Sequence, residues 1–86
     1  MARIKPFVAM IDVASEMYEQ MPDETGVLVR QALTKQLSGD LRGPRGGRYE
    51  RVSDIRFVDD PWTSYERPAV CFAARCDARY VRPSHG

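Results

Sequence analysis

The stretch that decides the fold runs from residue 69 to residue 81: Ala69-Val70-Cys71-Phe72-Ala73-Ala74-Arg75-Cys76-Asp77-Ala78-Arg79-Tyr80-Val81. Read with a period of two, one face carries Val70, Phe72, Ala74, Cys76, Ala78 and Tyr80. The opposite face carries Arg75, Asp77 and Arg79. Successive side chains of a strand point to opposite faces, so this alternation predicts a half-buried β-strand.

The two cysteines lie in this strand at an odd separation, which places Cys71 and Cys76 on opposite faces. They cannot form a disulfide with each other without breaking the strand. A zinc site needs about four ligands, and the only other soft ligand is His85 near the C-terminus. We therefore expect two free, partly buried thiols and no metal site.

The composition predicts one globular domain over residues 1–86. The chain is 43% hydrophobic and 29% charged, which is ordinary for a folded protein. A domain of this size leaves little room for an internal cavity, so we expect no cofactor. No apolar run approaches the roughly 20 residues that span a bilayer, and the first residues lack a signal-peptide pattern. The expectation is a cytoplasmic protein without a membrane partner.

The basic side chains are mostly arginine, and they are concentrated in the second half of the chain. Residues 42–86 contain nine arginines and six acidic residues, whereas the whole chain has a net charge of +1. The planar guanidinium binds carboxylate and phosphate through two parallel hydrogen bonds, which favours an acidic partner. A GC-rich genome would produce the same arginine usage, so both interpretations stay open.

Residues 6–21 fit an amphipathic helix. An apolar stripe at helical spacing comprises Phe7, Met10, Ile11, Ala14, Met17, Tyr18 and Met21. Pro6 suits the first helical position, and Pro22 predicts the end of the segment. The alternative is a short strand over residues 3–9 followed by a helix that begins near Val13.

A second helix is predicted from Asp23 to the residues before Gly39. Asp23 is a favourable N-cap, and Gly39 is placed for a left-handed C-terminal cap. The predicted apolar face consists of Leu28, Val29, Ala32, Leu33 and Leu37. The two helices together would form a helical hairpin.

Residues 39–51 contain four of the six glycines and four arginines, which predicts a mobile basic loop. Such a loop either links two halves of the domain or binds phosphate. It lacks the glycine–lysine–serine/threonine ending of a phosphate-binding P-loop.

A second strand is predicted over residues 52–58, with Ile55 and Phe57 facing the core. A long connection over residues 59–68 contains Trp62 and Tyr65, which either anchor a partner or cover the core edge. The sequence thus predicts an α+β domain in which two N-terminal amphipathic helices pack on a small C-terminal antiparallel sheet of two or three strands. A third strand from residues 3–9 or 47–51, or a homodimer through an exposed strand edge, would support so small a sheet.

No catalytic constellation is evident, since the single histidine lies in the C-terminal tail and the serines match no nucleophile elbow. The arrangement of helices, a basic glycine-rich loop and arginine-rich strands resembles small ribosome-dependent ribonuclease toxins. That resemblance covers residues 41–81, although the chain is less basic than expected for such enzymes and its 59–68 connection is longer. It implies phosphate-stabilising roles for Arg48, Tyr49, Arg51, Arg56, Arg75, Arg79 and Tyr80.

The favoured function is a non-catalytic protein-binding module, an inhibitor or adaptor that acts by steric occlusion of an acidic protein surface. Small phage-encoded proteins that block host machinery, including anti-CRISPR proteins, are of this kind. The predicted contact residues are Arg42, Arg45, Arg48, Trp62, Tyr65 and Arg67. Nucleic-acid binding through the same loop is the alternative, with Tyr49 or Trp62 stacking on unpaired bases.

Overall fold

The computed structural model describes residues 3–39, 41–58, 62–63 and 68–84. These residues form one antiparallel sheet in the order β1-β6-β3-β2, with β4 and β5 also paired to β6. The elements in chain order are β1 (Ile4–Ala14), α1 (Ser15–Gln20), α2 (Pro22–Ser38), β2 (Leu41–Arg42), a 3-10 turn (Pro44–Gly46), β3 (Arg48–Arg51), β4 (Arg56–Phe57), β5 (Trp62–Thr63) and β6 (Ala69–Val81).

Strand β6 is the centre of the sheet, and its predicted bounds, Ala69–Val81, are confirmed. Along one edge it pairs with β1 over eleven successive positions, from Ile4 opposite Arg79 to Ala14 opposite Ala69. Along the other edge it pairs with β3, β4 and β5. Both cysteines are free and buried.

The three short strands β3, β4 and β5 pair in turn with the second edge of β6, and the register shifts between each strand and the next. Tyr49 lies opposite Tyr80, Phe57 opposite Ala74, and Trp62 opposite Cys71. At each shift the segment from β3 to β5 has two more residues than β6 between the paired positions. The predicted strand over residues 52–58 is therefore confirmed only at Arg56–Phe57, although Ile55 and Phe57 do pack against the core.

The core lies between α2 and one face of the sheet, which we call the inner face. Helix α2 contributes Val29, Leu33 and Leu37 to it. The sheet contributes Ala9, Val13, Val70, Phe72, Ala74 and Cys76. Helix α1 closes one end of this layer, where the ring of Tyr18 meets the ring of Phe72 edge-on at a centroid distance of 5.7 Å. The apolar face of β6 predicted from the sequence is thus the core face.

The predicted helix over residues 6–21 is wrong, because residues 4–14 form β1 and only residues 15–20 are helical. The open alternative, an N-terminal strand followed by a helix near Val13, is closer to the structure. In β1 the odd-numbered side chains Phe7, Ala9, Ile11 and Val13 turn to the core. As a strand, this segment pairs with β6 along its full length and provides backbone hydrogen bonds to that edge of β6. A helix in the same place could not provide them.

The predicted fold class is wrong for the same reason. Two N-terminal helices on a small C-terminal sheet would leave β6 without a partner on one edge. The structure instead has one main helix, α2, on a larger curled sheet that begins with the N-terminal strand.

Helix α2 confirms the second predicted helix but not its caps. Pro22 occupies the first turn, and the N-cap is Met21, which makes no side-chain cap hydrogen bond. Gly39 is extended (φ −76°, ψ −177°) rather than left-handed, and its N–H donates to the Lys35 carbonyl at 3.2 Å. Leu28, predicted to face the core, is exposed.

The predicted mobile loop over residues 39–51 is also wrong where the structure describes it. Residues 41–42 and 48–51 form the hairpin β2–β3, joined by the 3-10 turn. The long connection predicted over residues 59–68 contains β5, and residues 59–61 and 64–67 lie outside the described residues. Among the described helices, none is long and apolar enough to cross a membrane.

Candidate functional site

The face of the sheet opposite α2, which we call the outer face, is not covered by α2, because α2 packs on the inner face. Its composition follows from the register, because residues opposite each other in an antiparallel pair share a face. On β6 this face carries Arg75, Asp77 and Arg79, as the alternation predicted. The polar face of the organising strand is thus the starting point of the candidate site.

Strand β1 adds an apolar column to the outer face. Ile4, Val8 and Met10 lie opposite Arg79, Arg75 and Ala73, respectively. Their exposed fractions are 64%, 61% and 60%. Large aliphatic side chains that are this open and aligned on one strand are typical of an interaction surface rather than of a solvated one.

The opposite side of β6 adds arginines. Arg56 lies directly across from Arg75, and Arg48 lies across from Val81 on the same face. Arg42 in turn lies across from Arg48. The sheet therefore gathers on one face five arginines from different parts of the second half of the chain: Arg42, Arg48, Arg56, Arg75 and Arg79.

Only two of these arginines have a carboxylate partner among the described residues. Arg79 Nη2 is 3.4 Å from Glu50 Oε2, and Arg56 Nη2 is 3.8 Å from Asp77 Oδ2. Both pairs are largely exposed, and such pairs contribute about 0–1 kcal/mol. Arg75 has no carboxylate partner in the described part of the chain and stands directly opposite Arg56, an arrangement of like charges that costs stability. An approaching anionic group would relieve that cost.

The turn between β2 and β3 is fixed by the ring of Tyr80. The Tyr80 hydroxyl donates to the Pro44 carbonyl at 2.8 Å, and the Gly47 N–H donates to the same carbonyl at 3.1 Å. Gly43 and Gly47 both lie against the ring, with no room for a Cβ atom. The glycines that suggested mobility are therefore close-approach positions, and the turn holds Arg42 and Arg48 in register.

The structure places the sequence-predicted contact residues in three groups. Arg42 and Arg48 are exposed on the outer face. Arg45 is exposed at the tip of the turn, in the left-handed region with φ 59°. Trp62 is described only through its backbone pairing in β5, opposite Cys71, whereas Tyr65 and Arg67 lie outside the described residues.

The residues implied by the ribonuclease resemblance are divided between the two faces of the sheet. Arg48, Arg56, Arg75 and Arg79 lie on the outer face. Tyr49 and Tyr80 point to the inner face, where Tyr49 packs edge-on between Phe7 and Tyr80 at centroid distances of 4.8 and 5.5 Å. The sheet thus separates these tyrosines from the arginines of the outer face, and the geometry does not bring the implied set together.

The surroundings of Cys71, Cys76 and Ser53 fit structural roles better than nucleophilic ones. Burial, together with a hydrogen bond to Asp12 and its charge, raises the pKa of the Cys71 thiol from 9.0 to about 11. Burial likewise raises the pKa of Cys76. Ser53 Oγ accepts the Asp77 N–H at 2.8 Å and replaces a main-chain partner at the first strand break. A thiol with a raised pKa is a poor nucleophile at neutral pH.

Sequence reasoning missed the apolar column of β1 and its position beside the arginines of β6 on one face. The available signal was a second alternation, in which Ile4, Val8 and Met10 occupy even positions while Phe7 and the core residues occupy odd ones. That signal was hidden because both faces of β1 are apolar.

No protein-family model matches the chain, and neither a curated protein nor a solved structure is significantly similar to it. Function is therefore argued from the geometry of the outer face alone.

Proposed function

We propose that the protein is a non-catalytic protein-binding module, an inhibitor or adaptor that covers an acidic patch on another protein with the outer face of its sheet. The observation that carries the proposal is the adjacency of two columns on that face. Exposed aliphatic side chains of β1 lie beside arginines of β6, with Val8 directly opposite Arg75. Arginine and large apolar side chains are the combination that is enriched at protein interfaces.

The apolar column supplies the area for binding. Val8 and Met10 lie near the middle of β1, where a partner can exclude water from both sides of the column. Burying apolar surface contributes about 25 cal/mol per Å². Binding through these side chains would not require any catalytic group in the domain.

The arginines supply specificity for carboxylates. Arg42, Arg48 and Arg75 have no carboxylate partner among the described residues, and each guanidinium can form two parallel bonds with an Asp or Glu side chain. Residues of a rigid sheet hold these groups at fixed spacing, which lowers the entropy lost on binding. The mechanism would be steric occlusion of the partner's own binding or catalytic surface.

Nucleic-acid binding is the second candidate function, and the observation that favours it is the collection of five arginines on one open face. Glu50 and Asp77 on the same face oppose it, because they would repel phosphates. Phosphate contacts release counterions, so binding of this kind weakens steeply with salt.

A tagged pull-down from cell lysate, with and without nuclease, separates the two functions. Three forms are compared: the wild type, the outer-face double variant Arg48→Glu/Arg75→Glu, and the control Arg30→Glu on the exposed side of α2. We expect a stoichiometric protein that survives nuclease, is captured by the wild type and the control, and is lost from the double variant.

Three results would contradict the proposal. Capture that is equally strong with the double variant would remove the outer face from the interaction. Recovery of nucleic acid alone, lost after nuclease, would establish the second function instead. Recovery of ribosomes would instead favour the ribosome-dependent ribonuclease function that the resemblance implies.

A further inference from the structure

Strand β1 forms one edge of the sheet. It pairs with β6 at every position from Ile4 to Ala14, and no other described strand pairs with it. The helices do not continue the sheet, because α2 packs on the inner face through Val29, Leu33 and Leu37. The second long side of β1 is therefore an open hydrogen-bonding edge within the described structure.

The register identifies which backbone groups face this edge. On β6 the odd-numbered residues bond away from β1, since the Asp77 carbonyl accepts the Val52 N–H at 2.8 Å and the Ala73 carbonyl accepts the Val58 N–H at 3.0 Å. Bonding alternates along a strand, so the even-numbered residues of β6 bond to the odd-numbered residues of β1.

The even-numbered residues of β1 consequently direct their backbone groups to the open edge. They are Ile4, Pro6, Val8, Met10 and Asp12. Pro6 agrees with this assignment, because a residue without an N–H is tolerated on the open side of an edge strand. Beyond Pro6, the edge offers both donors and acceptors at Val8 and Met10.

This edge lacks most of the features that keep edge strands from pairing. Natural edges are usually short, bulged or charged. Strand β1 has eleven residues, an unbroken register with β6, and aliphatic side chains at Ile4, Val8 and Met10 that are more than half exposed. Its protective features are Pro6 and the two charged residues Lys5 and Asp12, which lie towards the ends of the strand and leave Val8 and Met10 between them.

We propose that the edge of β1 pairs with the same edge of a second copy of the chain, antiparallel about a two-fold axis at Ala9. Even-numbered residues then face each other, with Val8 opposite the second copy's Met10 and Met10 opposite its Val8. These two pairs alone would exchange four main-chain hydrogen bonds.

The same register is self-complementary in its side chains. On the outer face the exposed Val8 and Met10 cover each other across the seam. On the inner face the half-buried Phe7 lies opposite the second copy's Ile11. No like charges oppose each other, because Asp12 meets Pro6 and Lys5 meets Val13. In this two-fold pairing the β1 edge of each copy is occupied by the β1 edge of the other, so the contact joins two chains and no more.

The resulting dimer has one continuous sheet with both α2 helices on the same side. This pairing uses the backbone edge and the side chains of Val8 and Met10, which the proposed partner surface also includes, but it does not use the arginines, and it is tested on the chain without any partner. A seam one strand long is smaller than the standard interface of about 1,600 Å². We therefore expect a reversible dimer whose population rises with protein concentration.

Sedimentation velocity of the full chain over a wide concentration range tests the inference. The informative variant is Val8→Pro, which keeps an apolar side chain and removes an N–H that the monomer does not use. Met10→Lys places a charge at the seam and is the second variant. The control is Val58→Lys, an exposed position whose N–H bonds to the Ala73 carbonyl on the far side of β6.

We expect the wild type and Val58→Lys to reach twice the mass of one chain at high concentration. Val8→Pro and Met10→Lys should stay monomeric there, with unchanged far-ultraviolet circular dichroism. A wild type that is monomeric throughout would overturn the inference, and so would dimers that persist in both β1 variants. If Val8→Pro fails to fold, because proline fixes φ at about −65°, Met10→Lys decides alone, and a Met10→Lys dimer overturns the inference.

Discussion

Replacing Gly47 by alanine should destabilise the domain through the ring of Tyr80 alone. The Gly47 backbone is extended (φ −79°, ψ −175°), so an alanine can adopt it without strain. An added Cβ atom, however, would lie 2.5 Å from Tyr80 Cζ and 2.6 Å from Tyr80 Cε1. Both distances are shorter than carbon atoms tolerate, so the ring or the turn must move.

The ring has little freedom to move. Its hydroxyl donates to the Pro44 carbonyl at 2.8 Å, and its edge meets the ring of Tyr49 at a centroid distance of 5.5 Å. Overpacking of this kind costs about 1–3 kcal/mol, and loss of the hydroxyl bond adds about 0.5–1.5 kcal/mol. We therefore expect Gly47→Ala to lower the free energy of unfolding by about 2–4 kcal/mol.

Urea denaturation followed by circular dichroism measures this change, and a double-mutant cycle isolates its cause. In a Tyr80→Ala background the clash is absent, so Gly47→Ala should then be nearly neutral. Gly39→Ala is the matched control, since its Cβ would meet only the Lys35 carbonyl at 3.5 Å. The reasoning is refuted if Gly47→Ala costs as much without the Tyr80 ring as with it, or no more than Gly39→Ala.

Three further outcomes follow from the burial pattern. Leu33→Ala, at a position with no exposed surface, should lower the free energy of unfolding by about 2–5 kcal/mol, whereas Leu28→Ala, 65% exposed, should change it by less than about 0.5 kcal/mol in the same urea titration. Met10→Lys should leave the melting temperature nearly unchanged, whereas Ala9→Lys, at a buried position, should unfold the domain. If Met10→Lys unfolded the domain and Ala9→Lys did not, the result would favour the helix predicted over residues 6–21. Because the pKa of Cys71 is raised from 9.0 to about 11, the unfolded chain ionises first, so stability should be complete below pH 9.0 and fall as the pH rises towards 11 in urea titrations at each pH. A stability that rises over that interval would contradict the burial of the Cys71 thiol.

Strand β6 could be predicted from the sequence because its two faces differ. Arginine and aspartate on one side and apolar residues on the other fit a period of two and no other period. The alternation also predicted that Arg75, Asp77 and Arg79 share a polar face, although not that this face belongs to a partner-binding site. Local patterning is sufficient where one face is buried and the other is charged.

Strand β1 could not be predicted in the same way, because it is apolar on both faces. Ile4, Val8 and Met10 lie outside, and Phe7 and Ile11 lie inside, so apolar residues occur at positions that satisfy either period. What decides the conformation is the long-range pairing with β6, which extends over eleven positions and adds backbone bonds at alternate residues. Tertiary pairing of this kind overrides a local helical pattern.

The glycine-rich segment shows a second limit of local reasoning. Glycine marks either backbone freedom or the close approach of another group, and composition does not separate the two. Here Gly43 and Gly47 lie against Tyr80, more than 30 residues away in the sequence. The arginines that the resulting hairpin aligns, Arg42 and Arg48, could be predicted as contact residues, but their shared face with Arg75 depends on the sheet register.

The central claim, that the outer face of the sheet binds an acidic protein, is tested most directly by methionine footprinting of the captured complex. Met10 lies on the outer face, whereas Met17 and Met21 lie on the helical side, and the three are comparably exposed at 60%, 56% and 50%. Oxidation of each is measured by mass spectrometry with and without the partner, at a concentration where the chain is monomeric. The account predicts that the partner slows oxidation of Met10 and leaves Met17 and Met21 unchanged. Protection of the two helical methionines with Met10 still open would contradict it.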